Sequence, residues 1–396
     1  MATPQYITHF VTGNDGLDCG AKFVDKDYVI GLYPDLIPQR KKPILYAWGG
    51  NGSGQLGLED ITNRSSPVQV GSLSNWKQIS VGSGQTAAVK TDGTLWTWGS
   101  NDFGQLGLGD ITNRSSPTQV GALTNWKQVS AGYLQTVAVK NDGTIWIWGY
   151  NAGRRLGLGA DATHRSSPTQ IGALTNWKQV STFDGTMAVK TDGTLWGWGY
   201  NNLYGQLGQG TVTVNDVSSP IQIGALTNWK QVQMGGESTL AIKTDGTIWT
   251  WGRNDSGQLG LGDTTHRSSP VQVGALNTWS NIGSAPGSPT LSAVKTDGTL
   301  WIWGSNTQGQ LGLGDTTNRS SPTQVGALTN WKYIVSSSSC LALKTDGTIW
   351  SWGFNSEGQL GVEDVTPRSS PVQIGALSNW KTISSMLAIS EGSGDF

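Results

Sequence analysis

The dipeptide Trp-Gly closes a strand-like run seven times, at Trp48, Trp98, Trp148, Trp198, Trp251, Trp303 and Trp352, with spacings of 50, 50, 50, 53, 52 and 49 residues. A second tryptophan follows each one, in "NWK" or a near variant, at Trp76, Trp126, Trp177, Trp229, Trp279, Trp331 and Trp380. The remaining six, Trp96, Trp146, Trp196, Trp249, Trp301 and Trp350, stand two residues before a Trp-Gly, and Tyr46 takes that place in the first unit. All 20 tryptophans of this 396-residue chain therefore belong to one repeat. A period of this length marks a repeat array rather than one oversized core.

Each unit holds four short strand candidates. In one of them "WKQVSAG" begins at Trp126, "QTVAVK" ends at Lys140, "TIWIWG" begins at Thr144 and "SPTQIG" begins at Ser167. Valine, isoleucine, threonine and tryptophan suit a pleated surface, and no run is long enough for a helix. Asp142-Gly143 separates the second and third strands, and Asp-Gly recurs at Asp92, Asp192, Asp245, Asp297 and Asp346. A two-residue Asp-Gly loop has the twist that a β-hairpin needs. Four antiparallel strands stamped out seven times predict an all-β fold, a seven-bladed β-propeller. Burying one tryptophan contributes roughly 4–6 kcal/mol gross, from ~150–250 Å² removed from water. The indoles are therefore expected to pack between blades.

The two ends complement each other. "ILYAWGG", from Ile44, has no hairpin partner before it, and "SMLAIS", ending at Ser390, has no outgoing strand after it. The C-terminus supplies strands one and two of a blade and the N-terminus strands three and four, so that joining them closes the ring and removes exposed sheet edges. The propeller is thus expected over residues 44–396. Residues 1–43 are not repeat. Within them Asp25 is a candidate helix cap before a run ending at Tyr33. Phe23, Tyr28, Val29, Ile30, Leu32 and Tyr33 make the segment too apolar for a mere linker, and it is read as an anchoring or docking segment.

The stretches "WGSNDFGQLGLGD", "RSSPTQVG" and "TNWKQVSAG" resemble the regulator of chromosome condensation repeat family, and the likeness runs from Ile44 to about Ser390. The resemblance implies a seven-bladed propeller closed by both termini, and the repeats look most like the bacterial and phage branch. In the eukaryotic founder of that family the fold serves nucleotide exchange and chromatin binding. Here the stretches matching its characteristic histidine positions, "VGSGQTAAV", "AGYLQTVAV" and "MGGESTLAI", contain no histidine. Another relative is a bacterial propeller that inhibits β-lactamases by covering them with loops.

Composition narrows the partners. A net charge of −1 and 13% charged residues, against about 25% in typical domains, remove the electrostatic footprint of a nucleic-acid binder. No run is long enough to cross a membrane, and the start "MATPQYITHFVTGNDG" lacks the pattern of a signal peptide. Synthesis in a cytoplasm is expected. Cys19 and Cys340 form no spaced motif, so neither a disulfide framework nor a zinc cluster is expected. His164 and His266 precede arginine in equivalent loops where other copies carry asparagine, which points to a turn role rather than catalysis. No nucleophile shows a histidine partner and no glycine run opens a phosphate loop, so the chain reads as a non-enzyme without cofactor or metal.

An acid precedes arginine by four residues in six loops, Asp60/Arg64, Asp110/Arg114, Asp161/Arg165, Asp263/Arg267, Asp315/Arg319 and Asp364/Arg368. The seventh loop loses both members, with Thr213 and Val217 in their places. Joint loss predicts that the two side chains touch. A ring of arginines gathering an anion is the alternative.

Alternating strand direction sorts the loops onto two faces. The Asp-Gly hairpins and "VGALTNW" connections share a nearly constant face. The opposite face carries the "GxNxxGQLGLGD" loops and the links after strand one, which vary freely. Phe103, Tyr133, Tyr150, Phe183, Tyr200, Tyr204 and Phe354 all fall on that variable face, together with Leu134, Arg154, Arg155 and Arg253. Tyrosine and arginine favour protein contacts. These residues are the expected partner-binding face. The chain is read as a structural or binding propeller whose partners are proteins, such as other virion proteins or a host surface molecule. Its expected place is a phage particle, as tail, fibre or capsid decoration. The alternatives are a cytoplasmic interaction module or a protein inhibitor, and after these a guanine nucleotide exchange factor.

Overall fold

Residues 42–392, apart from 202–203, 212–215 and 286, are described in a computed structural model of the chain. Blade one consists of β3 (Trp76–Val81), β4 (Gln85–Lys90), β5 (Leu95–Gly99) and β6 (Arg114–Gln119), hydrogen-bonded in that order. The unit recurs over residues 126–170 (β7–β10), 177–222 (β11–β14), 229–272 (β15–β18), 279–324 (β19–β22) and 331–373 (β23–β26), as blades two to six. Blade seven joins β27 (Trp380–Ser384) and β28 (Leu387–Ser390) to β1 (Ile44–Gly49) and β2 (Arg64–Ser74). Its order β2-β1-β28-β27 is the predicted closure: Leu45 lies opposite Ile389, and Ala47 opposite Leu387. Residues 1–41, which include the expected helix and the anchoring residues, lie outside the described residues.

The repeat explains each element. Strand two of a blade is covered on both sides, and β8, "QTVAVK", is buried throughout. The hairpin that follows turns at Gly143, whose φ of 78° is open to glycine. Asp142 Oδ1 accepts from both the Thr144 amide and its hydroxyl, at 2.9 and 2.7 Å. The same Thr144 hydroxyl accepts from Trp146 Nε1 at 2.9 Å. The tryptophans of Trp-Gly are completely buried. Six of them donate Nε1–H to the backbone of the neighbouring blade's loop, as Trp98 does to Gln55 O at 2.9 Å. The prediction that the indoles hold blade to blade is thereby met.

The innermost strands line the central shaft, and polar side chains there tie one blade to the next. Gln78 donates to Val129 O (2.7 Å) and accepts from Val129 N (2.9 Å). Gln128 and Gln179 repeat this pairing with Val180 and Val232. Tyr333 replaces the glutamine in blade six, where burial raises its hydroxyl above the ordinary value and a hydrogen bond with Gln233 opposes the rise.

Candidate protein-binding face

The loops that carry the candidate residues are built on one post. Asn101 is completely buried; its Oδ1 accepts from Leu106 N at 2.9 Å, and its Nδ2 donates to Asp110 O at 3.0 Å. Equivalent asparagines at 51, 151, 254, 306 and 355 do the same. Each loop is then stitched by its predicted ion pair. Arg64, Arg114, Arg267, Arg319 and Arg368 reach Asp60, Asp110, Asp263, Asp315 and Asp364 at 2.5–2.6 Å, and Arg165 pairs with Asp161. The arginines thus face their own loop acids. Hydrogen bonding holds these carboxyls below their ordinary value, with the threonine amide two residues on as the largest cause. Thr213 lies outside the described residues, so the seventh loop has no pair to report.

Turn roles for the histidines are likewise met. His164 Nδ1 accepts from Asn151 N, and His266 Nδ1 from Asn254 N, both at 3.0 Å. Asn113 Oδ1 serves Asn101 N in the same way at 2.7 Å. Both histidines also do something the sequence reading missed. His164 packs against Phe103 (5.4 Å between ring centroids) and Tyr150 (4.9 Å), and Phe103 and Tyr150 meet edge to face at 4.9 Å. His266 meets the Tyr204 ring edge to face at 4.8 Å. The signal was present: histidine replaces asparagine only in the two loops that neighbour these aromatics.

Between these clusters lies Arg155. Its guanidinium carbon sits 4.1 Å from the centre of the Tyr200 ring and 5.6 Å from that of Tyr150. It contacts Asp184 at 3.2 Å and Asp216 at 3.4 Å. Burial raises both carboxyls, and the Arg155 charge opposes that rise. Arg155 stands where the other loops carry glutamine, in "GRRLGLG" against "GQLGLG". The neighbouring indole departs from the rule as well: Trp198 Nε1 is buried without a hydrogen-bond partner, whereas each of its six counterparts donates to the main-chain carbonyl of the loop glutamine. Departures from a local rule concentrate where function is built.

Arg253 extends the cluster. It contacts Glu237 at 2.7 Å and Asp255 at 2.5 Å, and lies 5.1 Å from the Tyr204 ring centre. Hydrogen bonding to Asp255 is the largest cause that raises its guanidinium above the ordinary value. Tyr133 is 45% exposed and packs at 5.7 Å on Phe183, whose ring lies against Gly287. Leu134 is half-buried, and its carbonyl accepts from Tyr150 N at 2.8 Å. Arg154 is exposed, with a left-handed φ of 66°. Phe354, on blade six, lies apart. Ten of the eleven candidates thus gather on the loops of blades one to four.

Cys340 is buried, and burial pushes its thiol up to about 12, which makes it a poor nucleophile. Among the described residues no group of three or more histidine, cysteine or acidic side chains comes together to hold a metal, and no helix is long and apolar enough to cross a membrane.

Comparison with known proteins agrees with this architecture. The chain is 37% identical over 124 residues to the Ultraviolet-B receptor UVR8 of Arabidopsis thaliana, covering 31% of this chain and 28% of the receptor. It is 35% identical over 135 residues to the human X-linked retinitis pigmentosa GTPase regulator, covering 33% of this chain and 13% of the regulator. Among solved structures, Prp20p from Saccharomyces cerevisiae matches with a TM-score of 0.76 at 19% identity, covering 88% of this chain and 91% of that one. Human WBSCR16 matches at 0.77 and 20% identity, covering 88% and 99%. The pattern described as "Regulator of chromosome condensation (RCC1) repeat" matches residues 44–89, 92–139, 142–182, 192–242, 245–284, 297–342 and 346–385. With seven repeats matched in sequence and seven blades in the fold, the chain belongs to the regulator of chromosome condensation repeat family.

Proposed function

We propose that this protein is a non-enzymatic binding propeller, and that the loops of blades one to four on its variable face hold a protein partner. The observation that carries this reading is the Arg155 cluster. A cation held between two tyrosine rings and two half-buried carboxylates replaces the glutamine of the standard loop, beside an indole that lacks a hydrogen-bond partner. Such a departure weakens the ring locally, which fits a surface built for contact. Aromatic rings and arginine are the residues that anchor protein interfaces. The fold has this use elsewhere, since Prp20p binds Gsp1p and histones.

The test is a quantitative pull-down from source cells with the full chain and with a variant carrying Tyr133→Ala, Phe183→Ala and Tyr204→Ala. Loss of the same partner with an unchanged melting point is expected. Retained capture, or a variant that melts early, makes these rings loop supports instead.

A place in a phage particle is the narrower form of this reading. Its support is from sequence alone: the likeness of the repeat wording to bacterial and phage members, and the apolar, non-repeat composition of residues 1–43. Particles purified from an infected culture would contain the chain. Particles free of it restrict the reading to a cytoplasmic interaction module or inhibitor.

A further inference from the structure

The central shaft carries hydrogen-bond donors that the ring itself does not use. A cavity of about 170 Å³ lies on it, and every blade contributes to its wall. Four serines at one repeat position, Ser80, Ser130, Ser181 and Ser384 in blades one, two, three and seven, line it half-buried. Each hydroxyl accepts a backbone amide of the next blade: Ala131 N at 3.0 Å, Thr182 N at 3.2 Å, Met234 N at 2.9 Å and Val81 N at 3.3 Å in turn. None of the four donates to another described residue, so four O–H groups are left for the shaft.

Gln231 adds an amide to this set. Its counterparts Gln78, Gln128 and Gln179 spend both ends of their amides on the next blade. At the seam between blades four and five the place is taken, because Asn281 Oδ1 accepts from Ile282 N at 2.9 Å. The Gln231 side chain makes no hydrogen bond among the described residues, and its half-buried amide lines the cavity.

Charge points to what these donors face. No acidic or basic side chain lines the cavity. One end of the shaft is collared by cations instead. Lys77, Lys127, Lys178, Lys230, Lys332 and Lys381 each follow the tryptophan that opens an innermost strand on the constant face, and all six are exposed. Lys230 Nζ donates to Ser280 O, the same position in the next blade, at 3.2 Å, so its side chain runs along the rim. Among the described residues only Lys381 of the six is paired with an acid, Glu391 at 2.8 Å. Such a collar raises the local concentration of anions at the mouth.

We infer that the shaft binds one small monovalent anion, held by the serine hydroxyls and the Gln231 amide and drawn in through the lysine collar. Hydrogen bonds to an ion are roughly twice as strong as those between neutral groups, so unspent O–H and N–H donors suit an anion. All of the donors are neutral, which favours a single charge, since a buried dianion needs cations beside it. A cavity of about 150 Å³ holds benzene, so this one has room for a halide, nitrate or short carboxylate and none for a nucleotide. This inference concerns the shaft and is independent of the reading of the variable face.

The test is ³⁵Cl NMR of sodium chloride with the full chain, in which a bound chloride broadens the line. Saturable broadening is expected, and acetate should relieve it while the isosteric neutral acetamide does not. Ser130→Ala with Ser181→Ala removes two donors and is expected to raise the half-saturating chloride concentration at least about tenfold. Ser130→Asp keeps an acceptor for the Thr182 amide, sets a negative charge on the cavity, and is expected to abolish the broadening even if the alanine pair folds poorly. No saturable broadening overturns the inference, as does equal relief by acetamide. Broadening that survives Ser130→Asp belongs to the lysines alone and overturns it too. Relief by acetate at lower concentration than by nitrate marks the occupant as a carboxylate, and the reverse order marks it as an inorganic ion; either supports the site.

Discussion

Lys140 Nζ lies 3.7 Å from the ring centre of Trp146 and 4.8 Å from that of Trp126, and the residue is only 6% exposed. Burial pulls its amine below the ordinary value of 10.5, and Asp142 opposes that pull. The charge is retained because the indole faces attract it. Lys140→Met keeps the stem between the rings and loses only that attraction, so its cost is expected to stay near about 1 kcal/mol. Lys140→Glu sets an unpaired buried charge against the negative ring faces and is expected to cost at least about 3 kcal/mol. Denaturant unfolding of the two variants checks the ordering.

Arg155 should be needed mainly because of the acids around it. Arg155→Gln restores the standard loop residue but leaves Asp184 and Asp216 without their cation. A loss of about 1–3 kcal/mol at neutral pH is expected. Without Arg155 both carboxyls rise further, and a raised carboxyl contributes stability below its ordinary value that is lost as pH rises through the folded value. The deficit of the variant should therefore shrink on acidification, and Asp184→Asn with Asp216→Asn should recover part of it. Melting curves at neutral and acid pH measure both effects.

The pair Asp110 and Arg114, 2.6 Å apart and partly exposed, should couple weakly. A double-mutant cycle with Asp110→Asn and Arg114→Gln is expected to give about 0.2–1 kcal/mol. Zero coupling would mean that the contact contributes nothing to the loop.

Acid should loosen the same loops. The carboxyl of Asp161 is held at about 2, below its ordinary 3.8, first by the Thr163 amide, then by the Thr163 hydroxyl and Arg165. A lowered carboxyl contributes stability above its ordinary value, and that contribution is lost as pH falls from about 3.8 to about 2. Carboxyl NMR titration reads the midpoint directly. An Asp161 that titrates at its ordinary value would contradict these hydrogen bonds.

Removing residues 380–396 should expose β1. Without β27 and β28 the last blade keeps two strands, and Leu45 and Ala47 lose Ile389 and Leu387. A lower melting point than that of the full chain is expected, together with concentration-dependent association through the open edge. Calorimetry with light scattering follows both.

Much of this was legible in residue order, for reasons that separate local from non-local physics. Asp142-Gly143 specifies its hairpin, and the joint loss of acid and arginine marked the ion pairs, because each is settled within a few residues. Lys140 was not legible as a buried residue, since its charge argues for solvent and only two indoles from different strands reverse that. The variable-face aromatics were visible as a group, but their gathering around Arg155 depends on which loops the ring makes neighbours.

Closure through both ends also imposes an order on synthesis. Ile44 is translated long before its partner Ser390. Until then six blades stand in line with β1 and β2 waiting at one end, so a chain cut short by a premature stop cannot present a finished ring. β28 thus acts as a check on the ring: only copies that reach it hide their edges, and shorter ones advertise themselves to the cell's proteases.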